Sequence, residues 1–446
     1  VSTSSYDIRI DWENDGNFTG SSDTILDFKS FQITRGRDSE LGKASPGQLT
    51  LTLRNENGKY TPTNIDSVLY GLLEPKRPLR IYANHGSTSS PLFYGYIEEI
   101  IPHPHLNEQD CIITALDGLD YLARQDLETG LLKNITTGSV INTILDNAAW
   151  SSSLRKIDTG QDTIPYWYGH DIKARYALEE IEDSELGFIY INASGDLVYE
   201  DRHHRWSTIH QTSQFTFSDT MTDVSYSINP KKIYNIIKST ITPWELSASA
   251  EELWRLEEIP SIDISETKTF WGNATISGES VFVDDWSTLV ASTDYAANSI
   301  STELGDNETS NISVSATELA QTIKLNVTNN ADHLIYLTLL KANGTYYNNL
   351  TPVTLTKEDS NSQTAYQKRT LEKAGKYQYS TDSAQGYCNT ALAKYKDPIA
   401  EISIEIINSS STLLVQQLTR EISDRVTIVN TKLGLNAEYY IESIEH

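Results

Sequence analysis

The stretch RPLRIYANHGSTSSPLFYGYIEEI, residues 77–100, decides how the chain is read. Apolar and polar residues alternate from Leu79 to Ala83, a glycine-containing loop follows, and an aromatic pair leads into Ile97-Glu98-Glu99-Ile100. Short alternating runs bounded by Gly, Asn and Pro are the signal of strands and turns. The same order returns near the C-terminus in DRVTIVNTKLGLNAEYYIESI, residues 424–444: an Arg, an alternating strand, a glycine loop, an aromatic pair and Ile441-Glu442-Ser443-Ile444. A repeat of this kind predicts two related β-barrels. Two unrelated hairpins rich in Tyr and Ile would carry the same features, so the pattern alone leaves both readings open.

Outward from residue 77, alternation predicts strands at 30–35, 48–54, 92–101 and 111–116. Helical spacing is confined to a few places. Val140, Ile141, Ile144, Leu145 and Ala148 share one face over 137–149, and Ala174, Ala177, Leu178 and Ile181 share another over 173–185, with Gly187 as the stop. Residues 188–191 and 197–200, joined by Asn192-Ala193-Ser194-Gly195, read as a hairpin. From about 260 to 355 Ser, Thr and Asn dominate and helix patterns vanish, which predicts an inserted β-sandwich. Beyond it the spacing predicts a strand over 367–379, a helix carrying Cys388 and stopped at Asp397-Pro398, and strands at 402–407, 425–429 and 439–444. The expected fold is mainly β (α+β). A first barrel spans 1–118, an α+β region 119–219 and a second barrel 220–258 with 357–446; the sandwich, 259–356, is inserted in the second barrel.

At 446 residues the chain is long enough for about three domains. Its 35 Lys and Arg against 61 Asp and Glu give a net charge of −26, which argues against a phosphate-binding surface, because each neutralised phosphate needs a cation. No run approaches the ~20 apolar residues of a membrane span, and Val1-Ser2-Thr3-Ser4-Ser5 lacks the basic and apolar regions of a signal peptide, so neither a membrane span nor export is expected. The two cysteines, Cys111 and Cys388, sit in apolar patterns and read as core residues without CxxC spacing.

The sharpest local motif is DWENDGNF, residues 11–18. Asp11, Glu13 and Asp15 at alternate positions before Gly16 match the first half of a calcium loop, although Ser22 stands where the distal Glu belongs. These three are the candidate metal ligands, and calcium the only candidate cofactor; a polar hairpin turn is the competing reading. His203-His204 and His103-Pro104-His105 read as surface residues, and Glu179, Glu180, Glu182, Asp183 and Glu185 as a solvated helix face. No nucleophile elbow, phosphate loop or zinc-protease motif is present, so no enzyme is expected.

Residues 30–64, SFQITRGRDSELGKASPGQLTLTLRNENGKYTPTN, with DWENDGNF before and LYGLLEPKRPLRIYA after, resemble the opening of minor tail proteins of long-tailed bacteriophages, of the baseplate-hub or tail-hub group. Blocks at 177–205, 215–237 and 420–446, and within the insert at 283–299 and 327–345, agree in order, so the resemblance covers nearly the whole chain. It implies a structural virion protein at the tail tip, assembled in the host cytoplasm. Its subunits would form a homotrimer in which two tail-tube-like barrels per chain present six to a hexameric tube. The implied partners are the tail tube protein or a distal tail protein, the tape-measure protein, and tail fibre or receptor-binding proteins. In the first copy of the repeat Ile97–Ile100 is followed by another strand at 111–116; the second stops at His446, so its closing strand is expected to be missing or supplied by a neighbour. The alternative is a receptor- or carbohydrate-binding protein acting through the sandwich, with Trp271, Trp286 and Tyr295 available to stack on sugar rings.

Overall fold

The computed structural model describes residues 4–106, 108–219, 221–302 and 304–446. Val1 to Thr3, read above as lacking a leader, lie outside the described residues, as does Thr220 in the block 215–237. The chain is mainly β, with 45% of its residues in strands and 17% in helices.

The first region is an eight-stranded sheet in the order Thr24–Ile25, Ser5–Ile10, Pro78–His85, Thr88–Pro104, Gln109–Leu116, Ser45–Arg54, Phe28–Gly36, Ser443–Glu445. Alternation sets its faces: Leu49, Leu51 and Leu53 are buried on one strand and face Ala115, Ile113 and Cys111 on the next. Ile8, Ile81, Phe93 and Ile97 complete the core, each side chain contributing about 1.5–3 kcal/mol of burial. Helix Ser411–Thr419, which the spacing did not reveal, packs Leu414 and Leu418 into this same core. The eighth strand, Ser443–Glu445, belongs to the second copy of the repeat. It leaves its own hairpin and pairs with Phe28–Gly36, Ile444 opposite Arg35.

The α+β region packs helices Gly118–Arg124, Thr137–Asn147 and Ala174–Glu185 on the hairpin Phe188–Ile191 and Leu197–Glu200. Its core also takes Ala44 from the first region and Ile422 from near the C-terminus, so this region is where the others converge. Helix Ala174–Glu185 ends with Leu186 in the left-handed conformation, φ 55°. Gly187 then passes close to the Tyr199 ring, where a Cβ would lie 2.7 Å from a ring carbon. The predicted stop is thus two residues in different roles.

The insert is organised by one 15-residue strand, Ile335–Asn349, to which Trp244–Leu246, Glu251–Arg255, Phe282–Trp286, Ser261–Ile262 and Tyr295–Asn298 all pair. A second sheet, Thr267–Asn273, Thr322–Asn329 and Ile312–Glu318, closes over a core of residues 253–346 that includes Leu253, Leu325, Val327, Ile335 and Leu340. At the insert's base Tyr166 of the α+β region sits 3.7 Å from Trp244, 5.1 Å from Phe282 and 5.3 Å from Tyr347, centroid to centroid. Three further small sheets take up segments 215–241 and 353–440. They are Phe215–Phe217 with Arg425–Asn430 and Leu435–Tyr440; Asp223–Ile228 with Ala400–Glu405; and Ile236–Ile241 between Val353–Glu358 and Thr370–Ala374. Helix Thr381–Tyr395 lies on the last of these and buries Cys388 and Tyr387.

Candidate functional site

The regions meet around residues 37–43, 182–206, 390–395 and Tyr440, which line a cleft of about 340 Å³. Arg35 and Arg37 end the strand Phe28–Gly36 and its exit, both under a tenth exposed. Arg35 pairs with Glu421 at 2.7 Å, and Arg37 with Glu442 at 2.6 Å. Glu442 also receives Arg205 at 2.5 Å, and Arg205 reaches Glu40 at 3.2 Å, itself paired with Lys394. Beneath them Glu200 accepts from Ser423 Oγ at 2.5 Å and from the Tyr190 hydroxyl at 3.0 Å. Arg37 lies 3.6 Å above the Phe188 ring and Arg205 4.7 Å from that of Tyr440.

Burial pushes the Glu442 carboxyl up, but Arg205 and Arg37 outweigh it and hold the group below its ordinary value. Burial brings Lys394 down, against the pull of Glu40. A paired network of this kind adds little net stability over an apolar packing of the same shape, whereas removing one partner leaves a buried charge alone. It ties the first sheet to the C-terminal segment.

The acidic run on helix Ala174–Glu185 is a correction. Glu182 and Glu185 are buried, 6% and 1% exposed, where a solvated face is predicted. Glu182 accepts from the Ile189 amide at 3.1 Å and Glu185 from the Gln161 amide. Burial raises both to about 7. Glu179, Glu180 and Asp183 pair with Arg175, Lys376 and Lys43. A carboxylate-rich helix face looks solvated in sequence unless the covering segments, 160–162 and 188–189, are known to fold back on it. His204 likewise is half-buried, with Nδ1 2.7 Å from Asp158 and Nε2 3.6 Å from Glu200. Burial disfavours its charge, and these carboxylates outweigh that and raise it. Both ring nitrogens thus face carboxylates, which favour its charged form.

The loop of Asp11, Glu13 and Asp15 does not fit a calcium site. Asp11 is 1% exposed and both its oxygens serve the loop itself, accepting from the Asp15 amide at 3.2 Å and the Gly16 amide at 2.9 Å. Asp15 turns outward to accept from the Asn17 amide at 2.8 Å, and Glu13 lies on the side of Gly20 and Asp23. Among the described residues no group of three His, Cys, Asp or Glu side chains is placed to hold a metal ion. The alternate spacing instead builds a turn capped from within, with Asn14 and Gly16 at positive φ.

Of the three aromatic residues put forward for sugar stacking, Trp271 alone is exposed, at 60%. Trp286 is buried and donates its indole N–H to the Leu319 carbonyl at 3.0 Å, and Tyr295 packs against the insert's core. No described helix is long and apolar enough to cross a membrane.

No protein-family model matches the chain, and no curated protein sequence matches it. Among solved structures, the 43 kDa tail protein of prophage MuSo2 from Shewanella oneidensis aligns over 99% of this chain and 93% of its own, at 10% identity and a TM-score of 0.50. The tail protein from Neisseria meningitidis MC58 aligns over 99% and 91%, at 8% identity and a TM-score of 0.51. The chain shares the fold of these two tail proteins from end to end.

Proposed function

We propose that the protein is a structural component of a phage tail: a hub at the tail tip or baseplate that joins a hexameric tail tube to the distal apparatus and forms part of the DNA channel. The observation that carries this reading is that the likeness to two tail proteins runs through 99% of the chain, insert included. Its work is done by interfaces, and the buried charge network at the junction ties the first sheet to the C-terminal segment. The two β regions, 1–118 and 220–258 with 357–446, less the strands Trp244–Leu246 and Glu251–Arg255 that pair into the insert, act as tail-tube-like barrels, so that three chains offer six to the tube. The paired strands Asp223–Ile228 and Ala400–Glu405 support this, since most of their side chains are open to solvent and their outer edges have no strand partner among the described residues. Edges of this kind call for a covering chain. Partners on this reading are two further copies, the tail tube or a distal tail protein, the tape-measure protein, and fibres or receptor-binding proteins; the site is the virion, after assembly in the host cytoplasm. The net charge of −26 suits a lumen that passes DNA without holding it.

Native mass spectrometry of the full chain is expected to give a homotrimer, and immunogold labelling of tails to place it at the distal end. A monomer or a hexamer would remove the six-barrel reading. A trimer with a basic lumen would remove only its electrostatic half.

A further inference from the structure

Two of the eight tryptophans are exposed, Trp206 at 58% and Trp271 at 60%, and their settings differ. One face of Trp206 is covered by the ring of His203, stacked at 4.3 Å. Trp271 stands on the outer face of the insert's sheet Thr267–Asn273, Thr322–Asn329, Ile312–Glu318, where the ammonium of its cross-strand neighbour Lys324 lies over one face of the ring, 5.6 Å from the centroid, in place of a stacked ring.

Strand alternation and register define that face. Thr267, Thr269, Trp271 and Asn273 point outward, opposite Thr328, Asn326, Lys324 and Thr322, and beyond these stand Ser313, Ser315 and Thr317. Apart from Trp271 and Lys324 every one is a hydroxyl or an amide. No carboxylate is among them, although the whole chain carries 61. The face is also pre-ordered: Thr269 Oγ1 donates to Asn326 Oδ1 at 2.7 Å, and the hydroxyls of Thr267 and Thr328 lie 2.7 Å apart.

We propose that this face binds polysaccharide, one pyranose ring stacking on Trp271. A sugar presents an apolar face of C–H bonds and a rim of hydroxyls that both donate and accept. An exposed indole matches the first, and a field of Thr, Ser and Asn side chains, which also donate and accept, matches the second. Residues two apart on a strand lie about 6.5 Å apart and neighbouring strands about 4.8 Å. A ring seated on Trp271 therefore has its rim over Thr269 and Asn273 on one strand and Thr322 and Asn326 on the next. The absence of carboxylates removes the repulsion that an anionic cell-surface polymer meets elsewhere on this chain, and Lys324 stands where such a polymer's charge falls. A nucleic-acid strand would need several cations beside the stacking ring, and one is present.

The inference is independent of the hub reading: a monomer that binds sugar and a trimer that does not would each refute one and spare the other. Affinity electrophoresis of the full chain through gels containing dextran, xylan or a soluble teichoic acid, with pull-down on peptidoglycan sacculi, tests it. At least one polymer is expected to retard the chain. Trp271→Ala should weaken that retention at least 10-fold, Trp271→Phe should keep part of it, Asn326→Ala should weaken it without changing the melting temperature, and Trp206→Ala should leave it unchanged. Absence of retention on all four polymers, or retention that Trp271→Ala and Asn326→Ala leave intact, overturns the proposal. So does a change of oligomeric state in Trp271→Ala without loss of sugar binding, which would assign the face to a second copy.

Discussion

The two hairpins that share one sequence pattern end differently. In both, a glycine in the turn takes a positive φ, Gly86 at 61° and Gly434 at 62°, with open space where a Cβ would go. In the first, Ile97 to Ile100 continue a single strand, Thr88–Pro104, which takes only a bulge between Ile97 and Glu99. In the second, the strand ends at Tyr440, Ile441 still exchanges backbone hydrogen bonds with Asp424 and Ser423, and the chain crosses at Glu442 so that Ser443–Glu445 joins the other sheet. The second residue of each Ile-Glu-x-Ile shows why. Glu98 lies at the surface beside Lys76 and Arg124, whereas Glu442 is drawn between Arg37 and Arg205, and its carbonyl accepts from the Arg37 amide at 2.9 Å. Local sequence sets a turn; the partners available to the next few residues set where the strand goes.

The comparison breaks most sharply at these glutamates. Glu442→Ala leaves two buried guanidinium groups without their shared carboxylate and is expected to cost about 3–5 kcal/mol in urea unfolding. Glu98→Ala at the matching position should cost under about 1 kcal/mol, its partners being solvated. Equal losses would show that Glu442 does not hold the strand in place. Next in size, Leu414→Ala should lower stability by about 2–4 kcal/mol, because the side chain is 3% exposed in the core of the first sheet. A loss under about 1 kcal/mol would mean that the helix is not part of that core.

Acid sharpens the comparison by titration. Glu442 has its folded value depressed, so its stabilisation is present above the ordinary carboxyl range and lost as pH falls through the folded value. Glu182 and Glu185 run the other way. With folded values near 7 they bind protons in the folded state that the unfolded chain has released, so their contribution declines as pH rises from the ordinary range to about 7. In the double variant Glu182→Gln, Glu185→Gln the melting temperature should fall less between pH 5 and about 7.5 than in the parent; an identical pH profile would show that the two carboxyls are not proton-binding in the fold. Smallest of all, Gly86→Ala and Gly434→Ala should each cost about 1 kcal/mol, equal to within about 0.5 kcal/mol, since both place a Cβ at positive φ with nothing to meet.

Local pattern carried most of the architecture. Alternation found Ser45–Arg54, Pro78–His85 and Gln109–Leu116, and the spacing of Val140, Ile141, Ile144 and Leu145 found their helix, because these faces are buried against a single layer. Helix Ser411–Thr419 escaped notice. Nine residues with Leu413, Leu414 and Leu418 make a weak stripe, and the cap that starts it, Ser410 accepting from the Leu413 amide, sits in a run of serines that resembles a loop. The junction was not legible at all. Arg37, Glu40, Glu200, Arg205 and Glu442 are each unremarkable in sequence, and only the fold brings residues hundreds of positions apart within hydrogen-bond reach. Asp11, Glu13 and Asp15 erred in the opposite sense, since carboxylates at alternate positions before a glycine cap a turn as readily as they ligate a cation.

The strand Ser443–Glu445 also puts a delay into biosynthesis. Residues 28–36, its pairing partners, leave the ribosome some 400 positions earlier, which at about 5–20 residues per second is on the order of 20–80 s. Through that interval the first sheet has an open edge and lacks Leu414 and Leu418 in its core, the condition in which nascent chains pair with one another. Ribosome-stalled chains ending near residue 400 should therefore be cut by protease within residues 28–36, and chains stalled after the last strand has emerged should resist; equal resistance of the two would mean that the early sheet closes without its final strand.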